Sequence, residues 1–119
     1  MTVLLIAGGL ALPAGDATAG DEKKSGSHGA IAANRDSKAV GYAHDFKTAR
    51  DAKREALAQC GEKQCEVVVT FRGGCAAAAR GGKRLAAATG VTREEAETKA
   101  TRKCGKDCAV LAWACTKNK

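Results

Sequence analysis

The chain has 119 residues, with 20 Lys and Arg against 13 Asp and Glu, a formal net charge of +7 at neutral pH and six cysteines. That length supports one small domain and excludes a large enzyme with separate cofactor and substrate domains. Aromatic residues make up 3% of the sequence and much of its 45% apolar content is alanine, so burial alone gives a thin core and covalent or metal reinforcement is expected.

The first nineteen residues, "MTVLLIAGGLALPAGDATA", hold an apolar run of about ten residues and end in an A-x-A pattern formed by Ala17 and Ala19. This pattern is expected to be an export signal over 1–19; the run is too short for a membrane-spanning helix. No Lys or Arg precedes Lys23, so the usual positive N-terminal region of such a signal is missing. Residues 20–28, "GDEKKSGSH", read as a flexible polar leader in which His28 faces solvent. The segment 29–119 reads as a single domain.

Within that domain, "GAIAAN" and "KAVGYAHDF" alternate like two strands joined by a turn about Arg35, Asp36 and Ser37. "TARDAKREALAQCGEKQC" from Thr48 then returns 44 positions later as "TREEAETKATRKCGKDC" from Thr92. Each copy opens with a threonine followed three residues on by a carboxylate, Asp51 or Glu95, a helix-capping arrangement for which Glu is the better partner. Ala49, Ala52, Ala56 and Cys60 form a narrow helical stripe that Leu57 is expected to widen, and Ala96, Ala100 and Cys104 repeat it. Gly61 and Gly105 stand one residue past the cysteines, where a left-handed helix end favours glycine.

"CEVVVTF" and "CAVLAWAC" read as the strands that follow each helix, with Phe71 and Trp113 near corresponding positions and both expected in the core. Gly73-Gly74 and Gly81-Gly82 read as successive hairpin turns. The resulting order is β-β-α-β twice, over about 30–71 and 74–115. The expected fold is α+β, a mainly antiparallel sheet with both helices on one face, stapled by disulfides.

Behind an export signal, Cys60, Cys65, Cys75, Cys104, Cys108 and Cys115 are expected to be disulfide-bonded, with a zinc site as the rival reading. Six cysteines allow 15 pairings. The repeat favours Cys60 with Cys65 and Cys104 with Cys108, leaving Cys75 and Cys115 to join the two halves if their strands are neighbours.

The string "GAIAANRDSKAVGYAHDFKTARDAKREALAQCGEKQCEVVVTFRGGCAAAA", followed by "TREEAETKATRKCGKDCAVLAWAC", resembles the DUF4189 family of small exported bacterial proteins, a domain of unknown function. The likeness runs from Gly29 to Thr116. In that family an aromatic residue and glycine often precede each helix; here Val40-Gly41-Tyr42-Ala43 keeps them, while Leu85-Ala86-Ala87-Ala88 does not. The resemblance implies periplasmic or secreted location and brings no catalytic residue with it.

The residues themselves offer little for catalysis. His44 is the one histidine inside the expected domain, and it reads as a strand-end residue with a local hydrogen bond beside a turn residue, Asp45. No nucleophile elbow, metalloprotease or phosphate-loop motif is present. We therefore expect no enzyme activity, cofactor or metal. Arg72, Arg80, Lys83 and Arg84 crowd around the two glycine turns, with Arg35 and Lys38 at the earlier one, and are expected to form a cationic rim.

The function expected from the sequence is an exported binding module for an acidic protein or an anionic cell-envelope surface. The alternatives are a structural or stress-resistant envelope protein without a specific ligand, and a small hydrolase. With few aromatics available for stacking, specific nucleic-acid recognition is not expected. Oligomeric state is open.

Overall fold

A computed structural model describes residues 26–116. The expected signal segment, and all of the leader before Gly26, lie outside the described residues. Gly26, Ser27 and His28 belong to the ordered fold: the Gly26 N–H donates to the Asp45 carbonyl at 3.0 Å, Ser27 is buried, and His28 opens the first strand.

The elements are β1 (His28–Ala33), β2 (Val40–Phe46), α1 (Ala49–Cys60), β3 (Glu66–Arg72), β4 (Gly74–Gly81), β5 (Arg84–Gly90), α2 (Arg93–Cys104) and β6 (Ala109–Thr116). They form two antiparallel three-stranded sheets, ordered β2-β1-β3 and β5-β4-β6. The β-β-α-β duplication is therefore complete, with the first strand of each copy at the centre of its sheet. Even a β-bulge is duplicated: the register slips between Ile31 and Ala32 against β3, and between Ala78 and Ala79 against β6, stepping over Val68 and Leu111.

The single sheet expected from the sequence is divided in two. Gly73 and Gly74, read as a hairpin turn, both have positive φ, 72° and 76°, and carry the chain from β3 in one sheet to β4 in the other. Such consecutive left-handed residues are open to glycine and costly for most others. Each helix then packs on the outer face of its own sheet, and the inner faces meet, giving the layer order helix, sheet, sheet, helix. Among the described residues no helix is long and apolar enough to cross a membrane.

The two kinds of layer are built differently. Beneath α1, Ala52, Ala56 and Cys60 meet Ala30, Ala32 and Ala43, with Phe46 at one end. Beneath α2, Ala96, Ala100 and Cys104 meet Cys75, Ala77 and Ala79, with no buried side chain larger than cysteine. A buried methyl group contributes only about 0.8 kcal/mol, so these layers gain from close approach rather than bulk. At Gly41 the approach is closest, since a Cβ there would fall 2.1 Å from the Ala56 carbonyl oxygen. Leu57 lies off this stripe and is partly exposed.

Between the sheets, bulk comes from one copy and smallness from the other. Ile31, Phe71, Val40, Val68 and Val69 of the first sheet pack on Ala76, Ala78, Ala87, Ala112 and Ala114 of the second. Interdigitating large against small fills such an interface without voids. Phe71 and Trp113 stand near corresponding positions, as expected, but one residue apart, since Thr70 matches Trp113 and Phe71 matches Ala114, and the core place expected of Trp113 is not observed. Successive strand residues face opposite ways, so Phe71 is buried while Trp113 is 38% exposed.

Thr48 and Thr92 cap the helices, each hydroxyl accepting an amide at 3.1 Å from Asp51 or Glu95. Glu95 reaches back to the Val91 N–H at 2.8 Å. That bond and then Lys99 hold its carboxyl below the usual glutamate range. Gly61 ends α1 in the left-handed region at φ 76°. Gly105 departs from that conformation, at φ 111° and ψ −167°, and Arg84 donates to the Cys104 and Lys106 carbonyls on either side of it.

The disulfides are Cys60–Cys65, Cys104–Cys108 and Cys75–Cys115, which leaves no described cysteine for zinc. The third does not join the halves. Cys75 and Cys115 are directly paired on β4 and β6, with Cα atoms 4.0 Å apart, and both belong to the second copy.

Candidate functional site

The cationic rim expected at the glycine turns does not assemble. The β1–β2 and β4–β5 turns do emerge at the same end, where Lys83 lies 3.9 Å from Asp36. Arg80, however, spends its guanidinium internally. Nη1 donates to the Asn34 carbonyl at 2.8 Å and to that of Ser37, Nη2 to the Arg35 carbonyl at 2.7 Å, and Nε to the Gly82 carbonyl at 3.1 Å. A guanidinium has five donors in a fixed fork, and here the fork ties the hairpin of one sheet to the turn of the other. Arg84 is committed to the end of α2. Arg72 stands at the opposite end of β4 from Lys83, roughly 23 Å away along an eight-residue strand. Of the three at the turns, Lys83 alone bonds to no backbone carbonyl among the described residues, and Arg35 beside it pairs with Glu66 at 3.3 Å.

The two helices differ in how their charges are paired. On α2, Arg93 pairs with Glu97 at 2.9 Å and Lys99 with Glu95 at 3.3 Å, while Lys99 and Lys103 reach carbonyls of β5. On α1, Arg50, Lys53 and Arg54 are exposed and, among the described residues, make no ion pair. The helices carry the same formal charge, +1 each, but two of the four α2 cations are ion-paired, whereas among the described residues none of the three α1 cations is. The sequence lists these three cations as outer-face residues, but nothing in it shows that α1 would lack acid partners.

A second feature was missed from sequence. Where β2 of one sheet lies over β6 of the other, Val40, Tyr42, His44, Leu111, Ala112, Trp113, Ala114 and Cys115 line an open groove of about 580 Å³. Tyr42 is 44% exposed there, and the Arg93 guanidinium sits 4.0 Å above the Trp113 ring. The related cleft between β3 and β5 has Ala87 where this one has Tyr42, and is flanked by Arg35, Glu66 and Lys103. Only pairing the two sheets brings Tyr42 and Trp113 together, so no spacing in the chain announces it.

His44 lies in β2 with Nδ1 3.0 Å from Asp45 Oδ2, and Asp45 has φ 63°. The expected local bond is present, and no hydroxyl, thiol or acid besides Asp45 is bonded to the ring among the described residues. No cluster of three or more His, Cys, Asp or Glu among them is arranged to hold a metal ion.

Comparison with known proteins places this geometry among relatives. The family model of DUF4189, a domain of unknown function, matches residues 28–115. Uncharacterised proteins of Mycobacterium bovis and Mycobacterium tuberculosis, Mb1843c and Rv1813c, are 38% identical over 88 residues, 74% of this chain. The match spans 59% of those relatives' own length. The NMR structure of Rv1813c is similar at 34% identity and a TM-score of 0.57, covering 74% of each chain.

Proposed function

The chain belongs to the DUF4189 family, and we propose that it is an exported, disulfide-held binding module for an acidic protein partner, contacted through the outer face of α1. The observation that carries this reading is that Arg50, Lys53 and Arg54 are exposed without an ion pair among the described residues, whereas Arg93 and Lys99 of α2 are paired with Glu97 and Glu95. An exposed cluster of one sign raises the rate of encounter with partners of the other sign and suppresses like-charged ones. Three disulfides in so small a chain suit an oxidising compartment outside the cytoplasm. The role is one of binding rather than catalysis, and the rigid frame limits the ordering cost on association.

The test is retention of the oxidised protein on immobilised polyglutamate across a salt gradient. Wild type is expected to elute at higher salt than the Arg50→Glu/Lys53→Glu/Arg54→Glu variant, with Lys99→Glu/Arg102→Glu/Lys103→Glu, which reverses three α2 cations, as the comparison of equal net charge. If the α1 and α2 variants elute together, charge acts only through its total and the α1 face has no special role.

A further inference from the structure

An edge strand leaves backbone N–H and C=O groups unpaired and recruits another strand unless something blocks it. Three of the four edges here are guarded. On β5, Lys99 and Lys103 donate to the carbonyls of Thr89 and Ala87 at 3.4 and 3.3 Å. On β2, the Tyr42 N–H donates to Gln59 Oε1 at 3.3 Å. On β3 a charge stands at each end, Glu66 and Arg72. Along β6, from Ala109 to Thr116, there is no charge and no proline, and no described side chain bonds to the open edge.

We propose that β6 is an acceptor edge: an extended segment of a partner protein adds to it as a fourth strand, its apolar side chains alternating with carboxylates. The chemistry follows from the two sides of β6. Toward the first sheet, Ala112 and Ala114 line the groove with Tyr42 and Val40, so every second side chain of an added strand meets an apolar trough. Toward α2, Trp113 pairs with Ala77 of the helix-facing row and carries Arg93 on its ring. Glu97 takes the Arg93 Nε at 2.9 Å, leaving the terminal nitrogens of a half-exposed guanidinium to a carboxylate on the intervening position, a charge-assisted contact. A second copy of this chain, at +7, meets long-range repulsion where an acidic segment meets attraction.

The experiment uses isotope-labelled oxidised protein and a capped seven-residue peptide with valine at odd positions and glutamate at even ones. Saturable shifts and slowed amide exchange are expected along residues 109–116 and in Tyr42, with β3 unmoved. Val110→Lys, which puts a charge within the open edge strand, abolishes them. Arg93→Gln weakens binding at least fivefold. Thr70→Lys, at an exposed site of β3, leaves binding unchanged, and unaltered thermal midpoints establish that each variant is folded. Equal binding of a peptide with alternate N-methylated amides, or with lysine in place of glutamate, overturns the proposal. So does equal response on β3, absence of response on β6, or β6 protection that rises with the protein's own concentration, which would give the edge to a second copy.

Discussion

Removing the Cys75–Cys115 bridge tests how the second copy is held together. The link closes a separation of 40 residues, against 5 and 4 for the other two. Chain entropy then assigns it about 4 kcal/mol, and about 2 kcal/mol to each short bridge. For a domain near this size that loss corresponds to a fall in melting temperature of roughly 15–30 °C. The Cys75→Ala/Cys115→Ala variant keeps small residues in a layer already built of them, so packing changes least while the constraint is lost. Urea unfolding followed by Trp113 fluorescence is the assay. We expect a lower midpoint and a slightly larger denaturant slope, because the freed unfolded chain exposes more surface. A loss below about 1 kcal/mol, or one smaller than that of Cys104→Ala/Cys108→Ala, would refute the argument that this closure, rather than apolar burial, secures the second sheet.

Arg80→Ala releases the three carbonyls of the β1–β2 turn and is expected to cost about 2 kcal/mol by urea unfolding, with Arg80→Lys failing to restore it because an ammonium lacks the fork. Ile31→Ala, at the one large side chain that is fully buried among the described residues, is expected to cost about 3 kcal/mol by the same measurement. Gly41→Ala drives a methyl into the α1 backbone and is expected to cost about 2 kcal/mol, whereas the repeat already carries Ala86 at the matching site of β5. For Glu95, whose pKa is lowered in the fold by the Val91 N–H and then Lys99, the stabilisation is present above the ordinary glutamate value and disappears as pH falls through the lowered one. Acid titration by NMR should place its midpoint below that ordinary value, and Glu95→Gln should flatten the acid limb of the stability curve.

The local devices of this fold were legible because they are written in adjacent residues. Thr48 and Thr92, the alanine stripes, Gly61 and the short cysteine loops each announce a helix, its buried side and its end. The duplication made the element order readable as well, and paired the cysteines. What escaped were relations between the copies. Gly73-Gly74 reads equally as a hairpin turn or as a passage between sheets, and only the packing of Ile31 and Phe71 on alanines of the second copy selects the latter. Trp113 occupies the place of Thr70, one residue short of the place of Phe71, and so turns to the opposite face of its sheet. Arg80 looked like surface charge because its acceptors are backbone carbonyls some forty-five residues away, invisible in side-chain identities.

The unequal filling of the layer between the sheets bears on how such a duplicated chain stays single. Two first copies face to face would crowd isoleucine and phenylalanine into each other, and two second copies would leave alanine opposite alanine across a gap. Each half is therefore a poor match for its own likeness and a good one for its sibling, so the tandem fold discriminates against exchange of halves between molecules.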